Sequence, residues 1–429
     1  MFVSEQLPQL ADKDSSDGLL NWHRIPILGV CIGVTRWGNE MQRVYLDPWD
    51  KNLLNNEFFG GVSHNPGVDL IRGPWIHLRQ ACEAAGIDLV TADYLPPIQP
   101  GGPQHLYYSF GQLRGLTTIC RRPDVIPAAI YLFEPPIGVV PPQEDPYRCV
   151  GLLAQRFRRV YATSPLEAVR RFVDVPEQIS LHPFCFPQSL NDVIAELWER
   201  KDRQFLVMIN SYNYSPLPAG EYYSERIAAL RYFGHFGEID LFGYRWDEVV
   251  RRSPRQWVRS LLSCCKRCDR VRVRREFDFW RSAKAIRRAL HSGCRGNKYQ
   301  TMAGYRFAIC FESMGLEGFI TEKIFDCFFA GTIPIYLGAP DIADHVPAEC
   351  FIDMRNFDDY SELRRYLKSL SHDDCGKLRQ SARDYLGSSG YQPFSKQRFA
   401  EQFIADVKAA LAAANQSPTS RSSEAERLP

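Results

Sequence analysis

YRFAICFESMGLEGFITEKIFDCFFAGTIPIYLGAPDIADHVPAECFI, residues Tyr305–Ile352, is the stretch of this sequence that predicts the fold. The apolar run Arg306–Phe311 is typical of a buried strand, and the polar residues after it predict a loop. Thr321 is placed to cap a helix whose apolar body, Ile324–Ala330, ends at a glycine. A second apolar strand is predicted at Thr332–Leu337. Two strands joined by a helix form a βαβ unit, which binds nucleotides and phosphates at the carboxyl ends of its strands.

The same alternation of strands and helices extends over most of the chain. Strands are predicted at Ile25–Val34, Ile87–Thr91, Ala128–Phe133, Phe205–Ile209 and Ile239–Phe242. Helices are predicted at Gly73–Ala85, Tyr222–Phe236, Ser361–Leu370 and Phe399–Ala413, while Leu153–Ala162 supplies one more helix and strand. Strands that alternate with helices indicate parallel sheets of the α/β class.

Length and composition set the frame. A chain of 429 residues suits two domains, and its net charge of +2 favours no polyanionic partner. The 13 cysteines form no regular framework, which is typical of thiols in a reducing compartment. Residues 1–22 are polar and read as a flexible leader, and the apolar run after them is shorter than the about 20 residues that a membrane span needs. We therefore expect a cytoplasmic protein.

The segment FES…GFITEKIFDCFFAGTIPIYLGAPDI resembles the core motif of the α-1,3-fucosyltransferases, glycosyltransferase family 10, in their bacterial form. Two positions depart from the family pattern: Ser313 stands where Asn is usual, and Phe319 where many bacterial members have Tyr. The resemblance implies an α/β fold of the GT-B type, with two Rossmann-like domains that face each other across a cleft. It implies an acceptor-side domain at 23–190 and a donor-binding domain at 200–410, while the Ser-rich, polar composition of residues 415–429 predicts a disordered tail.

Two cations are the first candidates for binding the donor. Lys323 lies in the first turn of the predicted helix, where free backbone N–H groups already favour an anion and a lysine is unusual. Arg226 lies in the segment EYYSERIAALRYF, which resembles the family helix that carries a phosphate-binding arginine after a strand. The planar fork of an arginine suits diphosphate oxygens. Arg231, on a different face of the same helix, is its competitor. A nucleotide site requires that Arg226 and Lys323 share a cavity.

Carboxylates supply the remaining chemistry. The resemblance implies that Glu322 binds the ribose hydroxyls of the donor, because a carboxylate can accept hydrogen bonds from both hydroxyls of a diol. Glu134 ends a buried strand before two prolines and is the candidate general base, with Glu144 and Asp145 as rivals. The resemblance also places further residues at the donor site: Glu312, Ser313, Phe319, Asn210 and Lys298.

Residues 251–298 form a basic segment with sixteen Lys or Arg against three acidic residues. A solvated helical or loop insert is the simplest interpretation. Binding of nucleic acid and peripheral contact with an anionic membrane are the alternatives, of which we expect no nucleic-acid partner. Cys264, Cys265 and Cys268 make a poor zinc motif, because a fourth ligand could come only from Cys294 or His291. No metal site is therefore predicted.

Together these features predict an inverting fucosyltransferase that moves fucose from GDP-fucose to a hydroxyl of an oligosaccharide or lipid-linked glycan, with the 3-OH of N-acetylglucosamine as the expected target. Its role would lie in glycan or lipopolysaccharide biosynthesis or in protein glycosylation. No cofactor beyond the donor substrate is expected. A GT-B enzyme with another nucleotide sugar, or a protein that binds nucleotides or glycans without catalysis, are the alternatives.

Overall fold

The fold was analysed in a computed structural model, which describes residues 41–60, 66–111, 115–136, 146–213, 220–246, 250–266, 270–291 and 297–415. The predicted strand Ile25–Val34, the leader at 1–22 and residues 416–429 of the predicted tail lie outside these ranges. Glu144, Asp145 and Cys294 also lie outside them.

The first sheet has six parallel strands in the order β2-β1-β3-β4-β5-β6. Its strands are β1 (Gln42–Asp47), β2 (Ile87–Thr91), β3 (His105–Ser109), β4 (Val125–Leu132), β5 (Arg159–Ala162) and β6 (His182–Pro183). Its helices are α1 (Pro66–Ala84), α2 (Val150–Arg156) and α3 (Leu166–Arg170). The last five residues of β4 are all buried, as expected for a strand covered on both faces of a parallel sheet.

The second sheet has five parallel strands in the order β11-β10-β9-β7-β8. Its strands are β7 (Gln204–Ile209), β8 (Ile239–Phe242), β9 (Tyr305–Phe311), β10 (Ile333–Leu337) and β11 (Ile352–Asp353). The helices in this part of the chain are α4 (Ala195–Trp198), α5 (Tyr223–Phe236), α6 (Pro254–Lys266), α7 (Arg270–Ala289), α8 (Lys298–Met302), α9 (Glu322–Ala330), α10 (Ile342–His345), α11 (Tyr360–Ser369) and α12 (His372–Leu386). Two parallel α/β sheets confirm the predicted GT-B fold class.

Helix α9 begins and ends where the sequence predicts, but its start is built differently. Gly331 ends the helix in the left-handed conformation, with φ of 65°, which glycine adopts without strain. Thr321 occupies the cap position, yet its side chain forms no capping hydrogen bond to the helix. The predicted capping role of Thr321 is therefore wrong. Its hydroxyl donates instead to the buried carboxylate of Glu312 at 2.8 Å.

The last helix, α13 (Lys396–Asn415), packs against α1 and the first sheet. Phe399, Phe403 and Val407 belong to the same hydrophobic cluster as the core of that sheet. Asp406 accepts hydrogen bonds at 2.8 Å from the hydroxyls of Tyr108 in β3 and Tyr161 in β5. It also forms an ion pair with Arg159 of β5. The chain thus returns to its first sheet, while the predicted domain boundaries stay a prediction.

The basic segment is helical where the structure describes it. Helices α6 and α7 pack against each other, and α7 also packs against α5. Trp257 of α6 stacks on Phe279 of α7 with ring centroids 5.6 Å apart, and both rings are buried. Across the described ranges, no helix combines the length and the apolar character needed to cross a membrane.

Candidate active site

A cavity of about 310 Å³ lies where strands from both sheets end. Strand β4 of the first sheet leads into it, and so do β7 and β9 of the second, each at its carboxyl end. Ligands of open α/β sheets bind at such strand ends. Seven predicted site residues line this cavity: Glu134, Asn210, Arg226, Lys298, Ser313, Glu322 and Lys323.

Lys323 is held at the cavity wall by two carboxylates. Its Nζ lies 3.0 Å from Glu312 Oε2 and 3.7 Å from Glu322 Oε1, and it donates to the Thr321 hydroxyl at 2.9 Å. Burial alone would lower the pKa of Lys323, but the two carboxylates outweigh it and raise the pKa above its ordinary value. Lys323 is therefore a permanent cation, and a quarter of its side chain remains exposed.

Glu322 is the negative neighbour of that cation. Burial favours its neutral form, but Lys323 and Lys298 oppose this effect, together with hydrogen bonds at the helix start, and lower the pKa of Glu322 to about 2. Its side chain stays 38% exposed, so the carboxylate is charged and open to a ligand. An ionised carboxylate with free lone pairs can accept hydrogen bonds from a diol.

Arg226 is a buried cation whose partners are neutral. Only 4% of the residue is exposed, and its Nε and Nη2 both donate to the carbonyl of Phe311, at 3.2 and 2.7 Å. Its guanidinium lies over the ring of Tyr223, 4.9 Å from the centroid. Within the described ranges, no carboxylate forms an ion pair with it, and burial lowers its pKa. Because a buried charge needs compensation, this wall of the cavity favours an anion.

Glu134 faces these cations from the other sheet. It follows β4, is exposed, and lines the cavity. The loss of hydration raises the pKa of Glu134, Lys323 and Arg226 lower it, and Glu322 and Glu312 raise it further, with a net increase. A carboxylate with a raised pKa that remains accessible has the properties of a general base.

Asp326 is a cavity residue that sequence reasoning missed. It lies one turn after Glu322 on α9, is buried, and its Oδ2 lies 2.6 Å from Nζ of Lys298. Burial raises the pKa of Asp326 to about 6 despite the opposing charge of Lys298. An acidic residue within an otherwise apolar helix, four positions after Glu322, was the available signal, because residues four apart share a face.

Asn210 adds an unpaired acceptor to the wall. Its side-chain oxygen is buried and has no hydrogen-bond partner within the described part of the chain. A buried acceptor without a partner costs free energy, which a ligand that donates a hydrogen bond would recover. Ser313 and the missed residue Tyr223 complete this part of the wall.

Two predicted donor-site residues lie away from the cavity surface. Glu312 is completely buried behind Lys323, where it accepts from the backbone N–H of Thr321 at 2.9 Å. Phe319 is also buried and packs in a small cluster with Ala168 of α3, which links the two sheets. The structure thus brings seven of the nine predicted residues together, and the donor-binding roles stay predictions. The competitor Arg231 is exposed and does not line the cavity.

In the described ranges, no three side chains from His, Cys, Asp and Glu lie close enough together to hold a metal ion. The side chains of Cys264, Cys265 and Cys268 lie outside the part that the structure describes.

Comparison with known proteins identifies the C-terminal part of the chain. Residues 284–379 match the model of the domain described as glycosyltransferase family 10 (fucosyltransferase) C-term. The α-(1,3)-fucosyltransferase FucT of Helicobacter pylori is 38% identical over 74 residues, which are 17% of this chain and 16% of that protein. GDP-fucose protein O-fucosyltransferase 3 of Gallus gallus is 38% identical over 80 residues, which are 18% of this chain and 17% of that protein.

The chain thus spans less than a fifth of the length of these curated relatives. A solved structure of an α1,3-fucosyltransferase with GDP aligns over 87% of this chain and 93% of its own, at 13% identity and a TM-score of 0.44. The matched domain contains helix α9 and strands β9 and β10, which carry Ser313, Glu322 and Lys323. Residues 284–379 of this chain therefore carry a domain similar to the C-terminal domain of glycosyltransferase family 10, the fucosyltransferase family, and the curated relatives that match this part of the chain are fucosyltransferases.

Proposed function

We propose that this protein transfers fucose from GDP-fucose to a hydroxyl of a glycan acceptor, with inversion at the anomeric carbon. The supporting observation is that Arg226, Lys323 and Glu134 share one cavity, although they come from three distant parts of the chain. Two cations opposite an accessible carboxylate suit a reaction in which an anionic group leaves and a hydroxyl is deprotonated. The match of residues 284–379 to the family 10 domain, and the fucosyltransferases among the relatives, support fucose as the sugar and GDP as the nucleotide.

The cations would act on the leaving diphosphate. Negative charge builds up on the diphosphate as the bond to the sugar breaks, so cations that are already in place stabilise the transition state more than the bound donor. Arg226 has no carboxylate partner to give up within the described ranges, whereas Lys323 would have to share its charge between the diphosphate and Glu312. Arg226 therefore supplies binding, and Lys323 responds to the charge as it develops.

Glu134 would take the proton from the acceptor hydroxyl. In an inverting transfer the acceptor oxygen attacks the anomeric carbon on the face opposite the diphosphate, and the hydroxyl proton passes to the base. Glu134 enters the cavity from the first sheet, and the cations enter it from the second. The raised pKa of Glu134 makes it a stronger base than an ordinary carboxylate.

Hydrogen bonds would recognise the nucleotide sugar. We assign the ribose hydroxyls to Glu322, which is charged and accessible, and a donor N–H or O–H to the unpaired oxygen of Asn210. For the acceptor we propose the 3-OH of N-acetylglucosamine. The relatives include both an α-(1,3)-fucosyltransferase and a protein O-fucosyltransferase, so glycan and peptide acceptors both belong in the test.

A panel of donors and acceptors tests the proposal. We expect GDP-fucose to raise the melting temperature more than UDP-sugars, and product to form with an N-acetylglucosamine-containing glycan. Glu134→Gln should retain the thermal shift and lose transfer, while Glu349→Gln, at an exposed position, should retain both. A larger shift with a UDP-sugar would assign the cavity to another donor, and GDP-fucose binding without transfer to any acceptor would indicate a binding protein.

A further inference from the structure

The outer faces of helices α6 and α7 expose apolar side chains that the fold does not require. Val258 and Leu262 of α6 are 54% and 56% exposed, and Phe277 and Trp280 of α7 are 48% and 55% exposed. These are four of the twelve exposed large apolar side chains within the described ranges. The inward faces of both helices already pack through the buried pair Trp257 and Phe279. The exposed set therefore contributes little to the core.

Each helix combines its exposed apolar residues with cations on one face. On α6, Val258 and Leu262 are one turn apart, and the exposed Arg255 and Arg259 are spaced in the same way. Because three and four residues both span about one helical turn, these four positions form a single stripe.

On α7 the rings of Phe277 and Trp280 lie 6.0 Å apart, and the guanidinium of Arg281 lies 5.8 Å from the centroid of the Phe277 ring. The exposed Lys284 is one turn further along the same face. Both helices thus present an apolar stripe beside positive charge.

Other cations of the segment are used within the fold, which distinguishes them from this set. Arg287 donates to the carbonyl of Val250 at 2.8 Å, and Arg288 donates to the carbonyl of His235 at 3.0 Å. These contacts attach α7 to its neighbours. Arg255, Arg259, Arg281 and Lys284 have exposed side chains and lie beside the apolar stripes.

We propose that the outer face of α6 and α7 docks on an anionic phospholipid surface. Val258, Leu262, Phe277 and Trp280 enter the headgroup region, and the neighbouring cations lie at the level of the lipid phosphates. Amphipathic helices that lie in a membrane interface have this composition, with aromatic and aliphatic residues on one side and Lys or Arg beside them.

Charge and residue type select this partner. The four exposed cations beside the apolar stripes lie in a segment with sixteen Lys or Arg against three acidic residues, and they complement a negative surface. A single-stranded nucleic acid would use the cations and could stack bases on Phe277 and Trp280, but it has no use for exposed Val258 and Leu262. A lipid interface uses all four, because apolar area inserted below the headgroups adds to the electrostatic attraction.

Vesicle binding by the full-length protein tests this docking face. We expect the protein to cosediment with vesicles that mix phosphatidylglycerol with phosphatidylcholine, to bind less as salt rises, and not to bind phosphatidylcholine alone. Replacing Arg255, Arg259, Arg281 and Lys284 with Gln should reduce affinity about fivefold per charge, corresponding to about 1 kcal/mol for each basic residue near such a surface. Phe277→Ser with Trp280→Ser should reduce binding at least tenfold.

The control variants carry substitutions of the same kind, cation to Gln or exposed apolar residue to Ser, at positions outside α6 and α7. Lys377→Gln with Lys408→Gln removes two exposed cations from other helices, and Leu152→Ser removes an exposed leucine of α2. These variants should bind vesicles as the parent does. The proposal would be overturned if the control variants lost as much vesicle affinity as the test variants. It would also be overturned if binding did not depend on the charge of the lipid, or if the protein did not bind vesicles. Binding of single-stranded RNA in place of vesicles, or a dimer that the Phe277 and Trp280 changes abolish, would equally assign this face to another partner.

Discussion

Replacing Lys323 with methionine separates the two tasks of this side chain. Its Nζ lies 3.0 Å from Glu312 and faces the cavity, so it both neutralises a buried carboxylate and presents charge to a ligand. A cation about 4 Å from a phosphate oxygen contributes about 4 kcal/mol at an effective dielectric constant near 20, before desolvation. Loss of such a preorganised group lowers turnover about 10²–10³-fold. We expect Lys323→Met to lose transfer activity by that factor.

The same substitution should destabilise the folded protein. Glu312 is completely buried, and without Lys323 its carboxylate keeps, among the residues that the structure describes, only the hydrogen bonds from Thr321. Removing one partner of a buried ion pair costs about 3–5 kcal/mol, and the quarter exposure of Lys323 reduces this to about 2–3 kcal/mol. The free energy of unfolding should fall by that amount.

A second change at Glu312 distinguishes the two effects. Glu312→Gln keeps the shape of the side chain and an oxygen that accepts from Thr321, but it removes the charge that Lys323→Met leaves unpaired. The double variant should therefore lie within about 1 kcal/mol of the parent in stability, since neutral hydrogen bonds contribute about that much. Its turnover should stay reduced about 10²–10³-fold, because the cation at the cavity is still absent.

Urea denaturation followed by tryptophan fluorescence measures the stability, and product formation from GDP-fucose measures the activity. Lys377→Met, at an exposed lysine, is the matched control and should change neither. If the double variant recovered turnover together with stability, the loss in the single variant would come from misfolding, and Lys323 would have no role at the ligand. If the double variant stayed as unstable as the single one, the assigned ion pair would be refuted.

Three other side chains give further tests. Glu134→Gln should lower turnover about 10²–10⁴-fold at unchanged GDP affinity. Since the pKa of Glu134 is raised, acidification should lower the activity of the parent at a higher pH than it would for a base with an ordinary carboxylate pKa. A kcat that does not change over this pH range would contradict the role of Glu134 as general base. Burial raises the pKa of Asp326 to about 6, so stability from this group is complete below about pH 4 and is lost as the pH rises through about 6. Melting curves should show that Asp326→Asn removes this fall. Phe319→Ala should cost about 3–5 kcal/mol of stability with the Kd for GDP unchanged by calorimetry; tenfold weaker GDP binding would instead place this ring at the donor.

Elements with a local apolar signature were predictable. Strands β2, β7 and β8 and helices α5 and α9 lie within one or two residues of their predicted positions. Strand β3, His105–Ser109, was missed because a short run with two tyrosines between loops has no clear period. Both tyrosines are buried, and residues distant in sequence satisfy their hydroxyls: Tyr107 donates to Asp47, and Tyr108 donates to Asp406. Only the folded chain brings these partners together.

Helix α12 was missed for a different reason, because its start signal is present in the sequence. Ser371 and Asp374 form a capping box, in which each side chain binds the backbone N–H of the other residue. The helix after it carries many charged residues and few apolar ones, so an apolar stripe is hard to recognise. Reading the cap would have predicted this helix.

Site residues at strand ends were predictable, whereas their mutual distances were not. Glu134, Asn210 and Ser313 lie within two residues of the ends of predicted strands, and ligands of parallel sheets bind at the carboxyl ends of their strands. The buried position of Phe319 at the junction of the two sheets depends on α3, far away in sequence. Periodicity within a segment carries no information about which distant element packs against it.

Helix α9 shows how the fold makes an unfavourable placement useful. A lysine in the first turn of a helix opposes the helix dipole, which favours anions there. Glu312, at the end of the preceding strand, compensates this by placing a completely buried carboxylate 3.0 Å from Lys323. Lys323 then lines the same cavity as Arg226. A diphosphate that binds there would compete with Glu312 for the ammonium group of Lys323. The strength of the Lys323–Glu312 ion pair therefore opposes the contact between Lys323 and the diphosphate.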